Sequence, residues 1–530
     1  MARVALIGLD AGDGEYIAKL IARGRLPNLE RLVAAGVRAD LRGVEPIGRV
    51  WETLQRGSPA PYDMRRFDPS TYDTWWLGPS TDAPFFATDP PINVLAFDVP
   101  FMSLLHDVPG ARVVAWGGHN PGYPRSASPP GLLREIDARF GHHPAMHDDL
   151  AAWHDAESLR ALADALAAGA RLRVDICEWL LERFVDWDLF ITVLSETHSA
   201  GESMWHGVDA SHPLASIPAA AAAGESLEKV YVAVDDAVGR IVAALPSDAI
   251  TIVCSLHGNQ SDGEDLPTMV LLPELLHRLE LGTPYLASDG DAKWVHRGCP
   301  PVIPRERTWR AEMRRSEARA RRTGLRRLRP LRFPTPDGPE RIEEETRLTG
   351  AQIGRPITST GSHPAAWSRR DWPRMRAFAL PSVYIGRVRV NVAGRERDGI
   401  VAPSDYARVC DEIEADLRAC RDPRTGAAVV ATVTRWDGDP GSLPDGVPDL
   451  LVHWAGLADA FEHPRLGIIG PYANRRPGGH TLDGWAVFLG TGAEPTHIGD
   501  WDAVDLPPTI LHLLHRDASP AVEGTVMTLP

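Results

Sequence analysis

The chain is poor in cysteine, and the cysteines that it has are scattered. Its 530 residues contain five, an odd number, at positions 177, 254, 299, 410 and 420, and no two form a CxxC pair. A disulfide framework and a thiolate zinc site both need paired or closely spaced cysteines. The sequence therefore predicts neither.

Long apolar runs are also missing from the sequence. No run approaches the roughly 20 residues that a membrane helix needs. The apolar part of residues 1–10 is too short for a signal peptide and leads directly into a strand-like segment. We therefore expect a cytoplasmic protein that does not enter a membrane.

A basic surface is the third feature that the sequence lacks. The chain has 71 acidic and 56 basic residues and a net charge of −15, which argues against nucleic-acid binding. Residues 305–332 are the exception, with 12 arginines in a stretch of helical character. We expect these arginines to lie on a solvated helix and to pair with acids elsewhere; an arm that binds an anion or a partner is the alternative.

The sequence is rich in apolar strands that lie next to polar, metal-capable side chains. The predicted strands at residues 4–9, 189–194, 249–254 and 486–489 are accompanied by Asp10, His198, Glu202, His257 and His480. Parallel strands deliver such residues to one edge of a sheet. With helices predicted at 156–185 and 225–245, the pattern indicates an α/β fold with a doubly wound, mostly parallel sheet covered by helices on both faces.

The chain is predicted to leave this core and return to it. Residues 1–264 and 448–530 should form the core, and residues 265–447 an inserted cap with the Arg-rich segment and a small α+β lobe. The apolar runs at 450–454 and 486–489 are both assigned to the main sheet.

The five metal-capable side chains are expected to converge in one cleft. Imidazole and carboxylate ligands suit a divalent metal, with zinc preferred and manganese or iron as alternatives. His198 and Glu202 are four residues apart, so on a helix they share a face. The alternative is a helix start capped by Ser195 or Thr197, with Glu202 as a solvated acid. A dinucleotide site after the first strand is disfavoured, because the turn departs from GxGxxG and its acid would repel a phosphate.

Five short blocks, in order along the chain, carry a resemblance to a known family. They are Gly8-Leu9-Asp10, Trp51 to Gly57, Ser255-Leu256-His257-Gly258, Gly479-His480 with Asp483-Gly484, and Val504 to Leu511. They are similar to the first-strand, WTSLLTG, SDHG, GHRPDG and VDIAPTILALLG motifs of the alkaline phosphatase superfamily, in particular its type I phosphodiesterase/nucleotide pyrophosphatase branch. Residues 391–396 also resemble the N-x-x-GRE of an atypical bacterial group within it.

The resemblance implies two metals, but three positions depart from the family pattern. Leu256 replaces a carboxylate, Ile47 replaces the Thr or Ser nucleophile, and the Asp-x-x-x-His pair becomes His198-x-x-x-Glu202. Thr53, the nearest hydroxyl, lies too far into the predicted helix to substitute. We therefore expect one metal, held by His198, Glu202 and His480.

The resemblance further implies a hydrolase of phosphate, phosphodiester or sulfate esters that acts on a small anionic substrate. Asp10 or His257 would serve as general base, and Arg49 would clamp the anion. Two alternatives remain: a metalloenzyme with changed, non-hydrolytic chemistry at a two-His-one-carboxylate set, and an inactive binding protein.

Overall fold

The computed structural model describes residues 2–44, 49–59, 65–76, 82–117, 124–146, 153–288, 299–303, 305, 307–323 and 363–530. Its strands, in chain order, are β1 (Val4–Leu9), β2 (Val37–Arg42), β3 (Arg65–Phe67), β4 (Thr74–Trp76), β5 (Val94–Phe97), β6 (Gly110–Val114), β7 (Ser126–Ser128), β8 (Leu189–Leu194), β9 (Ile250–Ser255), β10 (Gly258–Ser261), β11 (Ala377–Ala379), β12 (Gly386–Val390), β13 (Val430–Arg435), β14 (Leu450–Trp454), β15 (Phe461–His463), β16 (Gly467–Ile469), β17 (Gly478–Thr481), β18 (Asp483–Leu489) and β19 (His497–Asp502).

The helices of the same residues cover the strands and connect them. In chain order they are α1 (Gly14–Ala22), α2 (Pro27–Ala35), α3 (Val50–Arg56), α4 (Leu132–Phe140), α5 (Ala156–Arg183), α6 (Glu196–Met204), α7 (Ala220–Ala244), α8 (Leu272–Leu281), α9 (Trp309–Thr323), α10 (Pro364–Trp367), α11 (Tyr406–Ala419) and α12 (Leu506–Leu513). None of these described helices is both long enough and apolar enough to cross a membrane.

The main sheet is mostly parallel. Within the described part of the chain it has nine strands in the order β19-β2-β18-β9-β1-β8-β5-β6-β7. Strands β9, β1, β8, β5 and β6 are parallel neighbours, whereas β18 and β7 run antiparallel to the strands beside them. The predicted doubly wound, mostly parallel α/β fold is therefore confirmed.

Strand β1 is buried on both of its faces. Ala5, Ile7 and Leu9 belong to one apolar cluster, and Val4 and Leu6 belong to another on the opposite face. Helices α5 and α7 contribute to the first cluster, and α3 and α12 contribute to the second. A strand that is apolar at every position fits this place between two layers of helices.

A second, four-stranded sheet forms the core of a smaller lobe. Its order is β11-β12-β14-β13, all antiparallel. The assignment of residues 450–454 to the main sheet is wrong, because β14 pairs with β12 and β13. An apolar run indicates a buried strand but does not identify its partner. The division at residues 265 and 448 remains a prediction.

The Arg-rich segment is described only as far as α9. Arg305 pairs with Asp155 and Glu157 at 3.1 and 3.0 Å, and Arg314 pairs with Glu317 at 2.7 Å. The acids that Arg305 contacts lie elsewhere in the chain, as the prediction requires, whereas the partner of Arg314 lies within its own helix. Residues 324–332 of the segment lie outside the described residues.

Candidate metal centre

His198 and Glu202 enter the site on α6, which begins directly after strand β8. Because they are four residues apart on the helix, His198 Nε2 lies 3.7 Å from Glu202 Oε1. Both side chains are buried, with 3% of each residue exposed. The alternative of a solvated Glu202 is therefore wrong. Ser195 is the N-terminal cap residue of α6, but its side chain makes no capping hydrogen bond.

His480 reaches the same place from a two-stranded ribbon. Strand β17 pairs antiparallel with β10, and His480 stands opposite Asn259. His480 Nε2 lies 3.6 Å from Glu202 Oε1, and the rings of His480 and His198 are 4.6 Å apart. One ligand atom from each of the three residues lies within 4.8 Å of the others. The structure therefore brings together His198, Glu202 and His480.

Asp10 and His257 form a hydrogen-bonded pair beside these three residues. His257 Nε2 donates to Asp10 Oδ1 at 2.9 Å, and Trp51 Nε1 donates to the same oxygen at 2.6 Å. The His257 ring is 4.8 Å from that of His480 and 6.2 Å from that of His198. Thus all five predicted residues lie at the carboxyl edge of the sheet. Within this group Asp10 contacts His257, and it also contacts Trp51.

Trp51 can reach Asp10 because Gly8 leaves room for its ring on β1. A Cβ atom at Gly8 would lie 2.2 Å from Trp51 Cη2, which is too close for any side chain. Trp51 belongs to α3, so the same contact holds the start of that helix against the site.

Leu256 and Thr53 do not add ligands to the site. Leu256 is fully buried in the apolar cluster that also contains Val4 and Leu6. Thr53 is buried within α3, and Ile47 lies outside the described residues. Arg49 directly precedes α3, and its Nε donates to Glu52 at 2.6 Å.

Arg476 is a buried cation of the site that the sequence did not indicate. Its Nη1 forms an ion pair with Glu202 Oε1, and its Nε lies 2.9 Å from Asp265 Oδ2 and 3.8 Å from Asp262 Oδ2. Burial raises the pKa of Asp262, and the nearby charge of Asp265 raises it further. The only available signal was the pair of arginines at 475 and 476, which also suits an exposed loop.

Tyr384 brings the smaller lobe to the site. It lies in the connection between β11 and β12, and its ring is 5.8 Å from the His480 ring. The Arg476 guanidinium lies 5.4 Å from the same tyrosine ring, within cation–π range. The sequence did not single out Tyr384 because its neighbours are far away along the chain.

A buried network of charged side chains holds the start of α6 in place. Arg173 on α5 pairs with Glu196 at 3.1 Å and with Asp98 at 2.9 Å, and His143 Nε2 lies 3.2 Å from Glu196. Burial alone would raise the pKa of Glu196, but Arg173 and His143 outweigh it and lower the pKa to about 2. These contacts hold the helix that carries His198 and Glu202.

The three-residue set fits a divalent metal. Zinc bonds to nitrogen and oxygen are about 2.0–2.2 Å long, so two ligands of one ion lie up to roughly 4.4 Å apart. The separations of 3.6 and 3.7 Å from Glu202 fall within that limit, and the three ligand atoms all lie within 4.8 Å of one another. Two imidazoles and one carboxylate are also ligands that zinc, manganese and iron accept.

No family model matches the chain, and no curated protein matches it. Solved structures that resemble it include murine ectonucleotide pyrophosphatase/phosphodiesterase 5 in complex with AMP, at 12% identity, a TM-score of 0.46 and coverage of 99% of this chain and 98% of that one. The human protein of the same name gives 11%, 0.45, 99% and 97%. Phosphonoacetate hydrolase from Sinorhizobium meliloti 1021, with phosphonoformate, gives 13%, 0.42, 92% and 89%.

Both kinds of protein belong to the alkaline phosphatase superfamily, which the sequence motifs resemble. The fold class of this chain is established by its strand order and direction, and the matches add no conclusion about its activity.

Proposed function

We propose that the protein is a metal-dependent hydrolase of phosphate, phosphodiester or sulfate esters with one metal at His198, Glu202 and His480. The observation that carries the proposal is the convergence of these three buried side chains, whose ligand atoms lie within 4.8 Å of one another. Three protein ligands are the usual number for a catalytic metal. Once bound, a divalent ion lowers the pKa of water to near 7 and polarises an ester oxygen.

His257 is the proposed general base. Its Nε2–H donates to Asp10, so the lone pair lies on Nδ1, which is buried and has no hydrogen-bond partner among the described residues. Asp10 orients the ring and stabilises the imidazolium that forms when Nδ1 takes a proton. Trp51 in turn holds Asp10, which keeps the pair in position.

The proposed single-metal stoichiometry is supported by Leu256 and Asp10. Leu256 packs in the apolar core, and Asp10 Oδ1 is engaged by His257 and Trp51, while Asp10 Oδ2 makes no hydrogen bond among the described residues. Among the described residues, the set whose ligand atoms lie close enough to share one ion is His198, Glu202 and His480. Arg49 remains the proposed contact to the anionic substrate, because it directly precedes the helix whose Trp51 binds Asp10.

A second candidate is non-hydrolytic chemistry at the same two-His-one-carboxylate set. The apolar core position of Leu256 favours it, since an inherited two-metal hydrolase site would need a carboxylate there. An inactive binding protein is the least favoured, because burying five metal-capable groups without use costs stability.

The test combines metal analysis with hydrolysis of p-nitrophenyl phosphate, bis-p-nitrophenyl phosphate and p-nitrophenyl sulfate. The wild type should bind one equivalent of metal, His480→Ala should bind none, and Asp10→Ala should keep the metal but hydrolyse more slowly. Two tightly bound equivalents, or undiminished metal in His480→Ala, would contradict the assignment. One equivalent of iron without hydrolysis of any ester would favour the second candidate.

A further inference from the structure

Three nitrogen-bearing side chains approach the same oxygen atom, Oε1 of Glu202. Glu202 Oε1 faces His198 Nε2 at 3.7 Å and His480 Nε2 at 3.6 Å, and it also forms the ion pair with Arg476 Nη1. The two imidazoles and the guanidinium therefore converge on the atom that would bind the metal. A guanidinium and a divalent cation both carry positive charge, so they compete for this oxygen.

Arg476 is anchored in a way that keeps it inside the protein. Its Nε lies 2.9 Å from Asp265 Oδ2, and its Nη2 donates to Asp265 Oδ1 at 3.2 Å, which is a two-point contact. Asp262 lies 3.8 Å away, and the ring of Tyr384 lies 5.4 Å from the guanidinium carbon. Only 2% of the Arg476 residue is exposed, so it has no short path to solvent.

The contacts that anchor Arg476 would also hold its guanidinium after a metal binds to Glu202. Asp262 and Asp265 are both buried, and Asp265 contacts Nε and Nη2 of the guanidinium, whereas Glu202 contacts Nη1. A small withdrawal of Nη1 from Glu202 would leave the charge of Arg476 neutralised by Asp265. Without metal, the arginine instead neutralises Glu202, whose buried carboxylate would be costly if unpaired.

We propose that Arg476 is an internal counter-cation of Glu202 that competes with the divalent metal and so sets the metal affinity of the site. This inference rests on the metal site of the proposed function but concerns affinity and not the reaction. It predicts opposite effects of Arg476 in the two states of the protein: the arginine stabilises the metal-free form and opposes metal binding.

The experiment compares wild type, Arg476→Gln, Arg476→Lys and Arg475→Gln. Arg475 is the matched control, because its Nε contacts Asp265 at 3.1 Å while its side chain is 22% exposed. Zinc affinity is measured by competition with a chromophoric chelator, and thermal unfolding is followed with and without zinc. Arg476→Gln should bind zinc about tenfold or more tightly, the scale expected when one nearby like charge is removed.

Stability distinguishes this role from a purely structural one. Metal-free Arg476→Gln should unfold at a lower temperature than the wild type, and zinc should raise its midpoint by more than it raises that of the wild type. A structural arginine would lower both midpoints equally. Arg476→Lys, which keeps the charge and the fold but not the two-point contact, should show a smaller gain in affinity than Arg476→Gln.

Unchanged or weaker zinc affinity in both Arg476 variants would overturn the inference and leave the proposed function intact. An equal gain in Arg475→Gln would also overturn it, because the effect would then be one of general charge. Absence of zinc binding from all four proteins would instead contradict the metal site itself, and the inference with it.

Discussion

At the scale of single residues, Leu256 and Asp10 show how one substitution changes the use of another. In the resembled family a carboxylate stands beside the histidine that corresponds to His257. Here Leu256 turns into the apolar core, and Asp10 becomes the hydrogen-bond partner of His257. The proposed function uses this hydrogen-bonded pair for proton transfer and not for metal binding.

His206 gives a prediction for the pH dependence of stability. Burial lowers its pKa to about 3, and the neighbouring His212 contributes to the same shift. The unfolded chain takes up this proton at about pH 6.5, but the folded chain does so only near the lowered pKa. This stability is therefore fully present above pH 6.5 and is lost progressively as the pH falls towards 3.

In His206→Gln, the difference in unfolding free energy between pH 7 and pH 5 should shrink by about 2 kcal/mol. Urea denaturation of the metal-free protein at the two pH values measures it. His512→Gln, on an exposed position of α12, is the control and should leave the difference as it is in the wild type. A His206 variant with the full wild-type difference would show that this imidazole takes up its proton as readily in the folded chain as in the unfolded chain.

The residues of the site differ in how far the sequence could predict them. His198 and Glu202 could be predicted because helical spacing after a buried strand places them on one face. Arg476 and Tyr384 could not, because their positions depend on how the ribbon and the smaller lobe pack against α6. An arginine in a loop has no periodicity that would distinguish a buried ion pair from a solvated charge.

At the scale of elements, the ribbon β10–β17 and helix α6 meet through glycine. A Cβ atom at Gly478 would lie 2.0 Å from the Gly201 carbonyl oxygen and 2.9 Å from Glu202 Cα. Both are backbone atoms, which cannot rotate away. The distance between His480 and Glu202 is therefore set by the closest approach of two backbones.

Gly478→Ala should push β17 away from α6 and weaken zinc binding by about tenfold or more, with a loss of stability of about 1–3 kcal/mol. Chelator competition and urea unfolding measure the two effects. Gly441→Ala is the control, because its Cβ would meet only the Asp439 side chain, at 3.3 Å. Normal zinc affinity in Gly478→Ala would mean that the ligands adjust independently of the ribbon.

At the scale of the whole molecule, an early part of the chain belongs to the smaller lobe. Phe67 on β3 packs in the apolar cluster of that lobe, 5.6 Å from the Phe378 ring and 6.0 Å from that of Trp372. The hairpin β3–β4 is a two-stranded sheet of its own, and through Phe67 it packs against the lobe that contains the four-stranded sheet β11-β12-β14-β13.

Phe67→Ala should destabilise the protein by about 3–5 kcal/mol, because it leaves a cavity among large aromatic rings. Hydrogen exchange should accelerate most in β11 and β12, and least in β1 of the main sheet. Faster exchange in β1 with unchanged protection of β12 would show that the hairpin does not support the smaller lobe.

The fold class could be predicted from the sequence, but the sheet to which each strand belongs could not always be predicted. Alternating buried strands and helices indicated the main sheet, and the strand at residues 250–255 pairs with β1 in it. Residues 450–454 look equally apolar but pair within the other sheet. Strand partners depend on long-range contacts, and an apolar run has the same pattern beside either set of neighbours.

The ligands of the site are also far apart in sequence. About 280 residues of chain separate Glu202 from His480, and the four-stranded sheet lies within that interval. A metal bound by both residues would close one long loop, and the entropy that such a closure removes from the unfolded chain grows with the logarithm of loop length. In the metal-bound protein, the ion would therefore act as a covalent cross-link does, joining helix α6 to strand β17 across the interval that contains the four-stranded sheet.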